Sequence, residues 1–137
     1  MDYSELGRLA DKARENSYCI YSGFSVGAAL LTAGGRVYTG CNIENASYPA
    51  GICAERTAFS KAISEGERRF TAIAISGGSK GEAPQDAYPC GICRQFMNEF
   101  VNGNEFDVIV VHSDLSHTVH KLKELLPYSF GPDNLNK

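Results

Sequence analysis

The sequence predicts an α/β protein, a three-layer α/β/α sandwich around a mixed five-stranded sheet. Two observations carry this. Short apolar runs alternate with segments whose apolar residues recur at three-to-four spacing, so strand and helix periods take turns along the chain. The first two runs flank Ala33-Gly34-Gly35-Arg36, a turn whose glycines tolerate positive φ, so the sheet begins with a hairpin.

Each element has its own signal. Tyr3, Leu6, Leu9/Ala10 and Ala13 mark an amphipathic first helix that ends at Asn16-Ser17. After the turn at Tyr21-Ser22-Gly23, residues 24–31 are almost all apolar or small, which suits a strand covered on both faces. Residues 37–41 form its hairpin partner. Positions 42–51, rich in Asn, Ser, Pro and Gly, read as a long loop of the kind that carries sites. From Cys53, the residues Ala54, Ala58, Phe59, Ala62 and Ile63 make one face of a second helix that stops at Gly66. A third strand at 71–76 ends at Gly77-Gly78, and 79–87 is a polar surface loop. Pro89 is expected at the first position of a third helix. Its buried stripe is read as Ile92, Phe96, Met97, Phe100 and Val101. A fourth strand at 107–111, a short fifth around Thr118-Val119, a brief helix cut by Pro127 and a frayed tail from Gly131 complete the chain. The third and fourth strands should run parallel to their predecessors, through right-handed crossovers.

The chain has 137 residues, a length for one domain over 1–137 that needs no metal or disulfide merely to hold a core. A net charge of −3 argues against nucleic acid as the partner, because phosphate binding needs a clustered basic surface. The acidic start is not followed by an apolar run, and no stretch reaches the length of a membrane span. A cytoplasmic location and no membrane partner are the expectation.

Five cysteines without an export signal point to metal or catalysis rather than disulfides. Cys53 opens one helix, and Cys90 and Cys93 lie three apart at the start of another. Both helices follow strands, so their N-termini can meet at the carboxyl edge of the sheet. The helix dipoles there favour thiolates. Three sulfurs leave a tetrahedral zinc one open position for water, with Glu55 the nearest carboxylate and Arg56 and Arg94 placed to offset the negative charge. Two other readings of the thiols stand beside this one. Cys90-x-x-Cys93 could be a redox dithiol, though it lacks a thioredoxin-like context. A closed structural site could recruit Cys19 or Cys41, which otherwise read as small buried hydrophobes. His112, His117 and His120 read as surface residues.

Cys53-Ala54-Glu55 followed by Pro89-Cys90-Gly91-Ile92-Cys93 is the zinc-deaminase signature in its three-cysteine form. Over nearly its whole length the chain resembles the small homotetrameric cytidine deaminases. The blocks Tyr21 to Leu30, Gly40 to Tyr48, Cys90 to Gln95 and Leu125 to Phe130 carry that resemblance, of which Asn42-x-Glu44-Asn45 and the C-terminal Leu125-Leu126-Pro127-x-x-Phe130 are the more selective parts. The resemblance implies hydrolysis of free cytidine and deoxycytidine to uridine and deoxyuridine, with loss of ammonia. It implies one zinc per chain on Cys53, Cys90 and Cys93, a zinc-activated water, and Glu55 as proton shuttle. Asn42 and Glu44 match ribose contacts, and an extended segment would point both the same way. Phe24 matches an aromatic against the pyrimidine, Ala54 a backbone contact to the base, and Arg56 a hydrogen-bond donor to ligand sulfur. Phe130 matches an aromatic lent to a neighbouring subunit's site. A deaminase of a cytosine-nucleoside antibiotic is the alternative.

Overall fold

The computed structural model describes residues 1–135. Helix α1 (Tyr3–Ala13) starts where the Asp2 carboxylate accepts the Ser4 N–H at 2.9 Å, satisfying one of the free donors of the first turn. Strands β1 (Phe24–Thr32) and β2 (Val37–Cys41) form the expected hairpin, and α2 (Ala54–Ser64) leads to β3 (Phe70–Ser79). Helix α3 (Gly91–Asn98), strands β4 (Asp107–Val111) and β5 (His117–Lys121) and the short α4 (Leu122–Leu125) follow.

The five strands lie in the order β2-β1-β3-β4-β5. β1 is antiparallel to both of its neighbours, β3 and β4 are parallel, and β5 returns antiparallel on β4. The third strand therefore does run parallel to the second, as expected, but β1 is inserted between them. Successive side chains of a strand face opposite ways, and both faces are covered. Ala29, Leu31, Ala72, Ala74 and Ile109 meet α1, while Ala28, Leu30, Ile73, Ile75 and Val108 meet the side that holds α2 and α3. On that second side Phe59, wholly buried, touches Phe70, Phe96, Phe100 and Phe106 with ring centroids 5.0 to 6.3 Å apart. This cluster ties α2 to α3, the two helices that begin with candidate thiols.

Four expectations are corrected. β3 continues through Gly77 and Gly78 to Ser79, because the next segment crosses over its end: the Gln85 N–H donates to the Gly77 carbonyl at 2.8 Å. A Cβ on Gly77 would lie 2.9 Å from the Ala87 side chain, so only glycine lets the strand run on beneath it. Pro89 sits outside α3, one residue before Cys90, whose extended φ of −69° and ψ of 169° make it the N-cap. Ile92 is 66% exposed, and its place in the buried stripe is taken by Cys93, one turn before the buried Met97, while Phe96, Phe100 and Val101 pack against the same core as expected. The expected frayed tail folds into a short helical turn at Pro132–Leu135, with 136 and 137 outside the described residues. Among the described residues no helix is long and apolar enough to cross a membrane.

Candidate functional site

The site is built at the edge where β2 and β3 end and β1 begins. After β2, the loop is pinched at its base by Ile43 and Ile52, whose N–H groups donate to each other's carbonyls at 2.9 and 3.0 Å. That pinch delivers Cys53 as the N-cap of α2. Gly40, inside β2, sets how closely α2 lies on the sheet. A Cβ there would be 2.6 Å from the Ala58 nitrogen and 2.7 Å from the Ala54 carbonyl oxygen.

Cys53, Cys90 and Cys93 converge, with all three sulfurs within 4.8 Å of one another. The Cys53 and Cys90 sulfurs are 3.8 Å apart. Two sulfurs each about 2.3 Å from a tetrahedral zinc would be separated by about 3.8 Å. The cluster therefore fits one zinc ion, with three ligands and no fourth Cys or His in the group among the described residues. Neither Cys19 nor Cys41 belongs to this group, so neither completes a closed site. Without metal, hydrogen bonding from the Cys93 thiol, helped by Arg56 and Cys90, outweighs burial and draws the Cys53 thiol down to about 5. The same hydrogen bond, together with burial and the nearby Glu55, pushes Cys93 upward. A dication entering this group displaces the remaining protons.

Glu55, at the first turn of α2, is 3% exposed, and burial pushes its carboxyl up to about 7. Arg56 donates from Nη2 to the Cys53 sulfur at 3.8 Å, while its buried Nε has no partner among the described residues. Arg94 is not the second charge partner that its position in the sequence suggested. Its Nε donates to the Pro89 carbonyl at 2.7 Å and its Nη1 to the Leu125 carbonyl at 2.8 Å, which ties the approach to Cys90 down onto α4.

Beside Cys53 and Arg56 opens a cleft of about 460 Å³, also lined by Tyr21, Ser22, Asn42, Glu44 and Tyr48. Asn42 and Glu44 do share this wall, but each is already engaged. Asn42 accepts the Val26 N–H and donates to the Phe24 carbonyl, both at 2.9 Å, and also binds Ser17. Glu44 accepts the N–H groups of Tyr21 and Ser22 at 3.0 and 3.1 Å and the Ser22 hydroxyl, and that hydroxyl contact in particular holds its carboxyl below the ordinary range. These latches, and the roles of Tyr21, Ser22 and Tyr48 as cleft wall, were not read from the sequence. Only the aromatic and hydroxyl character of the Tyr21-Ser22 turn could have signalled them.

Phe24, at the first position of β1, lies against the Gly77 backbone on the face shared with α2 and α3. Ala54 is fully buried at the first position of α2. Phe130 is not brought to the cleft. Its carbonyl is held by Gln95 and Asn98 at 2.9 and 3.0 Å, and the residue is 59% exposed. A larger opening of about 980 Å³ between the end of α3 and the C-terminal segment contains none of the candidate residues.

A profile described as the cytidine and deoxycytidylate deaminase zinc-binding region matches residues 1–108. A cytidine deaminase of Sporosarcina psychrophila is 43% identical over 137 residues, spanning 99% of this chain and 96% of that one. A probable cytidine deaminase of Dictyostelium discoideum is 41% identical, spanning 98% and 90%. The crystal structure of cytidine deaminase from Burkholderia pseudomallei superposes with a TM-score of 0.86 at 41% identity, covering 95% of this chain and all of that one.

Proposed function

The chain belongs to the zinc-binding cytidine deaminase family, and from that premise we propose how its residues divide the work. It deaminates cytidine hydrolytically, releasing uridine and ammonia. Cys53, Cys90 and Cys93 hold the one zinc ion, and the 3.8 Å spacing of two of their sulfurs is the observation that carries this assignment. When bound, zinc supplies a Lewis acid that lowers the pKa of water toward neutrality. Glu55 is the proton carrier. It takes one proton from the attacking water and gives it to ring N3, so that the hydroxyl adds at C4. It then takes the remaining hydroxyl proton and gives it to the exocyclic amino group, which leaves as ammonia. Its near-complete burial favours a carboxyl that can hold a proton between the two transfers. Arg56 offsets the negative charge of three thiolates.

Phe24 packs on the pyrimidine, the Ala54 backbone contacts the base, and Asn42 and Glu44 grip the sugar from the cleft wall. Deoxycytidine is the second substrate. The chain acts as one domain in a cytoplasmic homotetramer, to which each subunit lends Phe130 for a neighbour's cleft. The exposure of Phe130, Tyr48 and Ile92, at 59, 79 and 66%, supports that assembly. The test is direct: purified protein should bleach cytidine absorbance and carry about one zinc per chain. A Glu55→Gln protein should keep the metal and lose turnover; near-parental activity would remove Glu55 from its role.

A further inference from the structure

We infer that the β4–β5 hairpin, which carries no thiol, positions Cys90 for metal binding, through His112 on Asp86 and His120 on Tyr88. This rests on Cys90 being a zinc ligand. Of the three thiols Cys90 is the exposed one, whereas Cys93 is buried within α3. Because Cys90 is an extended N-cap, its backbone belongs to the segment that arrives from β3 rather than to the helix. That arriving segment has almost no regular structure and gains its position from a series of tethers.

The tethers follow one another along the chain. Gln85 is bridged to Gly77 of β3. Asp86 Oδ1 lies 2.6 Å from His112 Nδ1, and since an ionised carboxylate can only accept, the histidine nitrogen carries the hydrogen. The Tyr88 ring meets the His120 ring edge-on, with centroids 5.7 Å apart. The Pro89 carbonyl accepts from Arg94. Two of these four anchors come from one hairpin.

The hairpin is suited to the task. His112 directly follows β4, and its backbone is fixed on both sides: its N–H donates to the Ser116 carbonyl at 2.8 Å and its carbonyl accepts from Leu115 at 2.9 Å. The histidine side chain is 24% exposed against 56% for Asp86, so the contact is shielded from the hairpin side. His120 is registered opposite Val108 in the sheet, and its Nε2 is buried without a hydrogen-bond partner among the described residues. Its hold on Tyr88 is ring packing. His112 and His120, expected at the surface, are thus the means by which the far edge of the sheet steadies a ligand.

Zinc release from the full-length loaded protein to a colorimetric chelator tests this, with cytidine KM measured alongside. His112→Ala should release zinc about fivefold faster, the worth of one half-exposed charge-assisted contact. KM should stay at the parental value. His112→Asn places an amide nitrogen where Nδ1 was and should restore slow release, and His117→Ala, on the same strand, should release at the parental rate. If His112→Ala does not fold, Asp86→Ala removes the same contact from its exposed side and carries the same expectation. Parental release rates in both alanine variants would overturn the brace. So would an Asn variant as fast as alanine, or equal acceleration in His117→Ala. A parent protein that binds no zinc would sink the ligand assignment and the brace together, whereas loaded protein with indifferent variants sinks the brace alone.

Discussion

Replacing Gly40 with alanine should damage the metal centre without touching a thiol. Gly40 sits in β2 beneath the first turns of α2, and the added Cβ would lie 2.6 Å from the Ala58 nitrogen and 2.7 Å from the Ala54 oxygen. Both are backbone atoms, so no side chain can swing away. Restoring ordinary contact at 3.4 Å requires α2 to retreat from the sheet by about 0.8 Å. Overpacking of this kind costs roughly 1–3 kcal/mol. For a chain of this length about 2 kcal/mol corresponds to a drop of roughly 6–10 °C in Tm. The local effect should exceed the global one, because Cys53 rides on that helix and metal geometry tolerates only about 0.2 Å. Scanning calorimetry of the zinc-free protein gives the first quantity, and chelator competition on the loaded protein the second. Zinc affinity should fall by more than the stability loss alone accounts for. Unchanged Tm and unchanged zinc retention would show that α2 is not pinned by Gly40, and the account of how the fold places Cys53 would fail.

Other expectations can be checked with fewer measurements. Glu55→Gln should lower kcat by about 10²- to 10⁴-fold with zinc content unaltered, measured by metal analysis and steady-state kinetics. Cys90→Ala should fall well below one zinc per chain; full occupancy would contradict its place as a ligand. Phe59→Ala should cost about 3–5 kcal/mol in denaturant unfolding, because it empties the centre of an aromatic cluster that joins α2 to α3. Glu44 titrates below the ordinary 4.5 chiefly because of the Ser22 hydroxyl. A depressed carboxylate contributes stability that is present above 4.5 and lost as pH falls through its lower folded value. Ser22→Ala should therefore bring the Glu44 midpoint back toward 4.5 in an NMR titration, and no movement would mean the hydroxyl contact is absent in solution.

What could be read from the sequence were features with a local signal. The span of α1 follows from apolar spacing and Asp2, and β1 shows itself by a run that needs cover on both faces. The three thiols were recognisable because their spacing is tied to helix starts. What could not be read depends on segments distant in the chain. Gly77-Gly78 looks like a strand end, and only the crossing of residues 83–87 shows why the strand continues through it. Ile92 fits an apolar stripe as well as Cys93 does, until packing selects Cys93 and Met97. Arg94 next to a thiol suggests charge balance, yet carbonyls of Pro89 and Leu125 take its donors. Nothing local in Asn42 announces that it clasps the start of β1.

The insertion of β1 between β2 and β3 gives the metal centre a place late in the order of folding. Neighbouring strands are about 4.8 Å apart, so the two strands that lead to the thiol-bearing helices are separated by about twice that distance. Their relative position is undefined until β1 has paired with both. A nascent or partly unfolded chain can bring Cys90 and Cys93 together, but the third sulfur arrives only with the sheet closed around the hairpin. Full-strength zinc uptake therefore reports that β1 has paired with both neighbours, and a chain arrested before β3 docks should hold metal weakly, through two thiols at most.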